Sequence, residues 1–363
     1  MLSFTGTITV TITLHNMRRY ANGQVTITQV ALEAGVSTQT VSRVINNRPD
    51  VSPETRQRVQ EIIQRLGYQP NAIARSLIRR RSHTLGVVAT GLEYYGPSRT
   101  VVGIEQRANE LGYSLLLNLL HQPETDNVER LLLGLLARQV DGIIWAVPEI
   151  GNNRAWLPRK LSHMSAPVIF LSMQPQANLS VVAVDNWHGG RLATEHLLSQ
   201  GYRRIGHITG PLDWWEARER RRGWADALTA AGLAAEASCV VEGNWSTGSG
   251  ERGLRQLLEQ CPDIEAVFAG NDQMALGVLQ AARRLGRRVP EGLAVVGFDD
   301  IPEAAYFWPT LTTVRQELID LGGTAVQKLA EMIEAKQQGT LEIQPEIVLL
   351  QPQLVVRESS TAP

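Results

Sequence analysis

The sequence predicts a small all-α headpiece followed by a larger α/β unit of two lobes, whose parallel sheets carry helices on both faces. The chain has 363 residues, 43% of them hydrophobic, which is enough for more than one compact core. Residues 25 to 69 carry capping signals at helical spacing, whereas from residue 83 onward short apolar runs alternate with helical stretches. Repeated βα patterns of this kind favour parallel strands covered by helices.

The net charge of −1 averages two parts of opposite sign. From Met17 to His83 the chain holds eleven Arg, no Lys and four acidic residues, a local net charge of +7 that leaves −8 for the rest. A basic module beside an acidic one is typical of proteins that bind nucleic acid through one end. We therefore expect double-stranded DNA as a partner of the headpiece.

Other counts exclude whole classes of protein. Cys239 and Cys261 permit at most one disulfide and no cysteine-based zinc site, which favours a reducing compartment such as the cytoplasm. The longest apolar runs, such as 140 to 147, are too short to cross a bilayer. Residues 1 to 24 lack the pattern of a signal peptide and are expected to form a disordered tail, in which Met17 is an alternative start. No metal and no cofactor is expected.

Two short helices are predicted at the start of the headpiece. Thr26 and Gln29 form a capping box for the first helix, which Gly35 ends. Ser37 caps the second helix. Two short helices joined by a tight glycine turn predict a helix-turn-helix.

A third helix completes the predicted headpiece core. It begins with Ser52 as N-cap and Pro53 as first residue, and it ends before Gly67. Its apolar side is predicted to pack against the other two helices, so that residues 25 to 69 fold as one domain.

The outward face of the second helix suits the reading of bases. Gln pairs bidentately with adenine, Arg pairs with guanine, and a Thr methyl contacts thymine, which makes Thr38, Gln39 and Arg43 the candidate base contacts. Phosphate contacts are expected from five polar residues: Thr26, Ser37, Ser42, Asn46 and Thr55. The alternative is an ordinary solvated face, and the charge of +7 favours DNA.

Residues 70 to 82 predict a hinge. Asn71 can cap a helix of about ten residues, a length that is marginal in water without a partner. Leu77 lies among four arginines, as expected for an apolar wedge that enters a minor groove. The alternative is a basic linker whose Leu77 packs on the core.

These segments resemble the headpiece and hinge of the lactose/galactose repressor family of bacterial transcriptional regulators. The matching stretches are VTITQVALEAGVSTQTVSRVIN at 25 to 46 and PNAIARSL at 70 to 77. The resemblance implies that Thr38, Gln39 and Arg43 read operator bases. It also implies that Asn71, Ala74 and Leu77 form the minor-groove hinge, with Leu77 opening the central step of a palindromic operator beside its two-fold mate.

The remaining chain predicts a two-lobed unit with a cleft. Eight apolar runs are candidate strands: Leu85–Ala89, Ser114–Leu119, Gly142–Val147, Val168–Leu171, Val181–Val184, Ile205–Ile208, Ala266–Phe268 and Leu293–Phe298. Candidate helices between them are Arg99–Leu111, Asn127–Arg138, His188–Gln200 and Asp272–Leu285. We predict lobe 1 at 83–184 with 318–345, lobe 2 at 185–317 with 346–357, and a tail at 358–363. Ligands of such folds bind between the lobes, at the carboxyl ends of the strands.

Polar and aromatic residues follow the predicted strand ends. The candidate effector-binding set is Trp145, Ser172, Arg218, Trp245, Asn271, Asp299 and Leu318. Sugar hydroxyls need bidentate polar partners, and the C–H face of a sugar stacks on an aromatic ring. Each residue alone has a structural alternative, such as a helix cap for Asn271 or a turn for Asp299, so the joint placement carries the prediction.

The same family resemblance extends to about Arg357 and implies a periplasmic-binding-protein-like effector domain. It is carried by stretches such as GHITGP at 206 to 211, NDQMALG at 271 to 277 and VGFDD at 296 to 300. It implies sugar-hydroxyl contacts by Arg218, Asn271 and Asp299 and stacking on Trp245. Two positions depart from the lactose repressor pattern, with Ser172 in place of an acidic residue and Trp145 in place of an asparagine.

Two other functions compete with an effector-controlled regulator, and a tetramer competes with a dimer. An enzyme is disfavoured because the GxGxxG stretch at 248 to 253 is separated from its preceding strand, and because the seven His are scattered. A solute-binding protein of transport would need a signal peptide and no basic headpiece. A tetramer would need a leucine heptad tail, which the sequence after Arg357 does not show, so a homodimer is expected.

Overall fold

The computed structural model describes residues 25–69, 81–121, 128–151, 153–157, 161, 164–339 and 344–361. The chain divides into two compact units between Ser82 and His83. The N-terminal tail and the hinge residues Asn71, Ala74 and Leu77 lie outside the described residues.

The headpiece is a three-helix unit with the predicted caps. Its helices are α1 Ile27–Ala34, α2 Thr38–Ile45 and α3 Pro53–Leu66. The capping box of Thr26 and Gln29 is present, and Ser37 and Ser52 cap the next two helices. Glycines in the left-handed conformation end α1 and α3, as predicted. Val30, Val41 and Val59, one from each helix, are fully buried and form the centre of the core.

Lobe 1 of the large unit is a six-stranded parallel sheet. Its elements are β1 Thr84–Ala89, α4 Tyr95–Glu110, β2 Ser114–Leu119, α5 Val128–Ala137, β3 Gly142–Ala146, β4 Val168–Leu171, β5 Val181–Val184, α10 Leu318–Gln337 and β11 Ile347–Leu350. The strand order is β11-β5-β4-β3-β1-β2. Along β1, Val87 faces a core shared with α4 and α10, whereas Val88 faces a core shared with α5. Helices therefore cover both faces, as predicted.

Lobe 2 repeats this architecture. Its elements are α6 Asn186–Ser199, β6 Ile205–Thr209, α7 Trp215–Ala230, β7 Val240–Glu242, α8 Thr247–Gln260, β8 Ala266–Ala269, α9 Asp272–Arg284, β9 Ala294–Asp299, β10 Thr312–Arg315 and β12 Gln353–Val355. The order is β12-β10-β9-β8-β6-β7, with β12 antiparallel to β10. A disulfide joins Cys239, just before β7, to Cys261 at the end of α8.

Two predicted boundaries are wrong. Residues 347–350 were expected in lobe 2, but they form β11, which pairs with β5 in lobe 1. The chain therefore returns to lobe 2 only after Leu350. The sequence hides this because β11 is an edge strand with alternating exposure, and its partner is set by the tertiary fold.

The predicted tail at 358–363 is also wrong for its described part. Glu358–Ser360 forms a short 3₁₀ turn in which Ser359 and Ser360 are fully buried. The Ser359 hydroxyl donates to the carbonyl of Val295 at 2.6 Å and accepts from the Thr312 amide at 2.8 Å. Small polar residues near a chain end predict a disordered tail. Here the Ser359 hydroxyl forms hydrogen bonds with backbone groups of the two strands β9 and β10.

The GxGxxG stretch is part of a helix. Residues 248 to 253 belong to α8, and a Cβ on Gly250 would lie 2.0 Å from the Met274 carbonyl oxygen of α9. Gly253 packs similarly against Ile208 of β6. These glycines allow α8 to pack closely against α9 and β6.

No helix in the described part of the chain is long and apolar enough to cross a membrane. Over the same residues, no group of three or more His, Cys, Asp or Glu side chains is placed to hold a metal ion.

Candidate DNA-reading face and ligand cleft

The predicted base-reading residues share the exposed side of α2. Thr38, Gln39 and Arg43 are exposed, whereas Val41 and Val44 of the same helix are buried. Gln39 and Arg43 are one turn apart and therefore lie on one face. The hydrogen-bonding groups of these three side chains are therefore accessible to solvent.

The predicted phosphate contacts gather at helix ends. Thr26 and Ser37 are the N-caps of α1 and α2, and the Thr55 amide bonds to the cap hydroxyl of α3. Asn46 follows the last residue of α2 and donates to the Ser42 carbonyl at 2.7 Å. Thr26, Ser37 and Thr55 are thus at helix N-termini, where N–H groups and partial positive charge suit phosphate, whereas Asn46 is at a helix C-terminus.

Arg43 has one ionic neighbour in the headpiece. Its guanidinium lies 3.4 Å from the Asp50 carboxylate, and both side chains are about half exposed. An exposed pair of this kind contributes at most about 1 kcal/mol. Arg43 can therefore leave Asp50 for a stronger bidentate partner.

A pocket lies between the two lobes at the carboxyl ends of the strands. It encloses about 770 Å³, counting the space that opens to solvent, within the usual range of about 300–1,000 Å³ for small-molecule sites. Five of the seven predicted effector residues line it: Ser172, Trp245, Asn271, Asp299 and Leu318. Lining residues that the sequence analysis missed include Tyr94, Tyr95, Ala146, Trp214, Glu216, Arg220 and Gln316.

Trp145 does not line the pocket. It is 1% exposed and packs in the core of lobe 1, where its ring centroid lies 4.8 Å from that of Trp156. Its neighbour Ala146 lines the pocket instead. Successive side chains of a strand point to opposite faces, so the sequence prediction was wrong by one residue.

The sequence prediction that Arg218 lines the pocket was also wrong. Arg220 lines the pocket instead. Two residues along a helix differ by about 200° in direction, so the two arginines point to different sides of α7. The Arg218 guanidinium donates to the Asp213 carbonyl at 2.8 Å and lies 3.5 Å from the Glu149 carboxylate.

Arg220 and Asp299 form the charged centre of the pocket. Nε of Arg220 donates to Oδ1 of Asn186 at 2.8 Å, and Nη1 donates to the Gly270 carbonyl at 2.6 Å. Nη1 also lies 4.0 Å from Oδ1 of Asp299, which accepts a hydrogen bond from Gln316 at 2.6 Å. Burial raises the pKa of Asp299 to about 6, while Arg220 and Gln316 oppose that shift.

Three pocket residues hold strained backbones. Ser172, Trp245 and Asp299 have φ of 53°, 68° and 115°, although none is glycine. Such conformations cost free energy and cluster at functional sites. Here they turn side chains into the cleft directly after β4, before α8 and at the end of β9.

Trp245 is fixed by its neighbours. A Cβ on Gly210 would lie 2.1 Å from the Trp245 ring, so only glycine leaves room for the indole. The Asn271 amide donates to the Trp245 carbonyl at 3.0 Å while its oxygen caps α9. Asn271 therefore combines the structural role of a cap with the positioning of Trp245.

Aromatic rings extend from Trp245 across the cleft. Trp214 packs edge-on against Trp245 with ring centroids 5.8 Å apart, and Tyr94 of lobe 1 packs edge-on against Trp214 at 5.9 Å. The Trp-Trp pair that follows Gly210 in sequence was the available signal for this wall.

A clasp of residues 149–151 and 213–218 links the lobes beside the pocket. The Gly151 amide donates to the Asp213 carbonyl, and the Trp215 amide donates to the Glu149 carbonyl, both at 3.0 Å. The ion pair of Glu149 and Arg218 belongs to the same clasp. The lobes are thus joined by hydrogen bonds that a rotation between them would break.

Two family profiles match the chain. Residues 26–71 match "Bacterial regulatory proteins, lacI family", and residues 194–360 match "Periplasmic binding protein-like domain". The HTH-type transcriptional regulator CelR of Thermobifida fusca is 35% identical over 92% of this chain and 98% of its own length. The lactose operon repressor of Escherichia coli strain K12 is 33% identical over 86% of each chain.

Solved structures give the same relationship. A lac repressor dimer bound to operator and the anti-inducer ONPF matches with a TM-score of 0.85 and 33% identity, over 93% of this chain and all of that chain. A CelR–cellobiose complex matches with a TM-score of 0.69 and 34% identity over the same shares.

A helix-turn-helix headpiece joined in one chain to a two-lobed unit with a ligand cleft defines a ligand-responsive DNA-binding regulator. The similarity in sequence and structure extends over nearly the whole chain. The chain belongs to the lacI family of bacterial regulatory proteins, and its relatives are transcriptional regulators rather than enzymes.

Proposed function

We propose that this regulator is a repressor that binds a near-palindromic operator as a homodimer and responds to a sugar in its cleft. The observation that carries the proposal is the presence, in one chain, of a base-reading helix and a cleft that combines aromatic walls with a buried Arg–Asp pair. The relatives include a lac repressor bound to operator and a CelR bound to cellobiose. Since operator DNA is its target, the protein acts in the cytoplasm.

On the DNA side, Thr38, Gln39 and Arg43 contact bases, while Thr26, Ser37, Ser42, Asn46 and Thr55 contact the backbone. Asn71, Ala74 and Leu77 enter the minor groove at the centre of the operator. Phosphate contacts set register, and base contacts supply specificity.

On the ligand side, Asp299 and Arg220 bind hydroxyl groups and Trp245 stacks on the sugar ring. Ser172 and Leu318 complete the lobe 1 wall. A sugar that binds better to one arrangement of the lobes shifts the population toward it, and the operator affinity changes accordingly.

Exposed aromatic residues of lobe 2 support a homodimer. Tyr306 and Trp308 are each 87% exposed and lie two positions apart in the chain, and a contiguous exposed apolar patch marks an interaction site. A two-fold dimer would place two headpieces on two half-sites.

Selection from a random DNA pool tests the proposal. The full-length protein should enrich a near-palindromic sequence, and its affinity should fall steeply with salt because bound phosphates release counterions. Addition of cellobiose, lactose, galactose, ribose or glucosamine should change the affinity for the enriched DNA in at least one case. Enrichment of no palindrome would contradict the DNA assignment, and no response to any sugar would contradict the effector assignment.

A further inference from the structure

Two polar atoms in the wall of the cleft are buried without a partner. Oε2 of Glu216 and Nε1 of Trp245 have no hydrogen-bond partner among the described residues, and both residues line the pocket. A carboxylate oxygen accepts hydrogen bonds, whereas an indole N–H donates one. A buried atom left unpaired costs free energy. A ligand that donates to Glu216 and accepts from Trp245 would supply both missing partners.

The position of Glu216 is fixed by the clasp. Glu216 is the second residue of α7, directly after Trp215, whose amide bonds to the Glu149 carbonyl. Burial raises the pKa of the Glu216 carboxyl to about 7, against the opposing effects of its own backbone amide, Arg220 and Arg154. A hydroxyl or ammonium group of a ligand would supply the hydrogen bond that the carboxylate lacks.

Two of the three charged residues that line the pocket are acidic, since Glu216 and Asp299 stand beside the single Arg220. Arg220 is already held by Asn186 and the Gly270 carbonyl, and its charge is matched by Asp299. Glu216 is the remaining charged residue in the pocket lining. An anionic ligand would bring a second negative group next to the Glu216 carboxyl, whose Oε2 has no hydrogen-bond partner among the described residues, and juxtaposed like charges are an effective way to reject a ligand.

We propose that the cleft takes an uncharged or amino-bearing sugar that donates a hydrogen bond to Glu216, and that it rejects phosphorylated and acidic sugars. Trp245 donates its N–H to an oxygen of the same ligand. This inference rests on the proposed function, because it names the class of sugar that the cleft selects.

The test compares Glu216→Gln with the wild type and with Glu219→Gln. Glu219 is on the same helix, forms a 2.7 Å ion pair with Arg222 and does not line the pocket. The probes are cellobiose, lactose, galactose, ribose and glucosamine, set against cellobionate, glucuronate, galactose phosphate, ribose phosphate and glucosamine phosphate. Binding is read from tryptophan fluorescence, since Trp214 and Trp245 line the pocket, and from calorimetry.

In the wild type the tightest binder should be uncharged or amino-bearing, and its acidic or phosphorylated counterpart should bind at least about tenfold more weakly. Glu216→Gln should weaken the binding of the preferred probe about tenfold, because a hydrogen bond to a charged acceptor becomes one to a neutral acceptor. The difference in affinity between this probe and its anionic counterpart should also become smaller. Glu219→Gln should match the wild type. The melting temperature of ligand-free Glu216→Gln should equal or exceed that of the wild type, because a neutral amide replaces a carboxyl whose charged form is disfavoured by burial.

Three results would overturn the inference alone: an anionic probe as the tightest binder, unchanged affinities in Glu216→Gln, or a lower melting temperature of that variant without ligand. Absence of binding by every probe would instead contradict the sugar effector itself, and the inference with it.

Discussion

A buried side chain of the cleft can bind the ligand or hold another residue in position. Its hydrogen-bond partners within the protein indicate which of these roles it has. Asp299 is 7% exposed, and one of its oxygens already accepts from Gln316. Arg220 stands 4.0 Å away, far enough for a ligand hydroxyl to join both groups. In contrast, the nitrogen and the oxygen of the Asn271 side-chain amide are both already hydrogen-bonded within the protein. We therefore expect Asp299 to contribute more to ligand binding than Asn271.

Replacement of Asp299 by Asn should weaken sugar binding by about tenfold or more, because a charged acceptor is lost. Operator binding without sugar should stay as in the wild type. Calorimetry with the preferred sugar measures the effect, and Asp263→Asn, an exposed carboxylate paired with Arg204, is the matched control. A sugar affinity of Asp299→Asn equal to that of the wild type would show that Asp299 does not contribute to the binding site.

Arg43 is the base contact whose loss should be most visible. Arg43→Ala should reduce discrimination between operator and scrambled DNA by roughly 1–3 kcal/mol, the usual contribution of a bidentate pair. Arg58→Ala removes an exposed charge from α3 and should weaken binding to both DNAs alike. Fluorescence anisotropy on the two DNAs tests this, and equal losses for Arg43→Ala would make Arg43 a backbone contact.

Among the elements, β6 and its following turn determine the aromatic wall. The strand ends at Thr209, and Gly210 then allows the Trp245 ring to lie against the backbone. Trp214 and the start of α7 follow within a few residues. One turn therefore positions the stacking ring, the second aromatic ring and Glu216.

Gly210→Ala should displace the Trp245 ring, because the new Cβ would lie 2.1 Å from it. Sugar binding should fall, with a change in tryptophan fluorescence of the free protein, while operator binding persists. Gly248→Ala is the control, since its Cβ would meet the end of the flexible Arg252 side chain at 3.4 Å. Retained sugar affinity in Gly210→Ala would show that the ring position does not matter.

His207 of the same strand makes the stability of lobe 2 depend on pH. It is fully buried, stacks on Phe268 at 4.5 Å and lies 2.8 Å from the Phe268 carbonyl through Nδ1. Burial lowers its pKa from 6.5 to about 3. Between pH 6.5 and 3 this histidine is therefore protonated in the unfolded chain but neutral in the folded chain. Its contribution to the free energy of unfolding is fully present above pH 6.5 and is lost as the pH falls toward 3.

The expected slope from this group is about 1.4 kcal/mol per pH unit. His207→Phe keeps an aromatic ring and removes the titration, so its unfolding free energy should depend less on pH between about 6.5 and 4. Urea unfolding at a series of pH values measures the difference between the two proteins. His196, whose pKa burial also lowers, is present in both and cancels. Parallel curves would contradict the assignment.

At the scale of the whole effector unit, the clasp sets how readily the lobes move. Its hydrogen bonds join Glu149 and Gly151 of lobe 1 to Asp213 and Trp215 of lobe 2. Arg218 was expected from the sequence to contact the sugar, but it pairs instead with Glu149 of the other lobe. We therefore expect Arg218 to influence ligand binding only through the arrangement of the lobes.

Glu149→Gln should loosen the clasp and weaken sugar binding a few-fold if the sugar prefers the clasped arrangement, since the shift equals the difference in free energy between arrangements. Arg218→Gln should also weaken sugar binding, and the double variant should lose less than the sum of the two losses, because each single variant already breaks the Glu149–Arg218 pair. Additive losses in a double-mutant cycle by calorimetry would show that the two residues act separately.

Much of the fold was predictable from local pattern. Val168–Leu171 and Val181–Val184 are strands at the predicted residues, because buried parallel strands are continuous apolar runs. The headpiece caps were also predictable, since Thr26, Ser37 and Ser52 act on amides three residues away. The strands that the prediction missed, β7, β10, β11 and β12, are short, polar or alternating, and their pairing depends on distant partners.

The sequence by itself determined the two units, the charge division and most of the strand ends that surround the cleft, because these follow from composition and short-range periodicity. Only the tertiary structure decided that Ala146 and Arg220, rather than Trp145 and Arg218, reach the cleft. It also placed Tyr94 opposite Trp214, left Oε2 of Glu216 without a hydrogen-bond partner among the described residues, and buried Ser359 and Ser360 of the expected tail. A shift of one or two residues reverses the direction of a side chain, and only packing against distant elements fixes that direction.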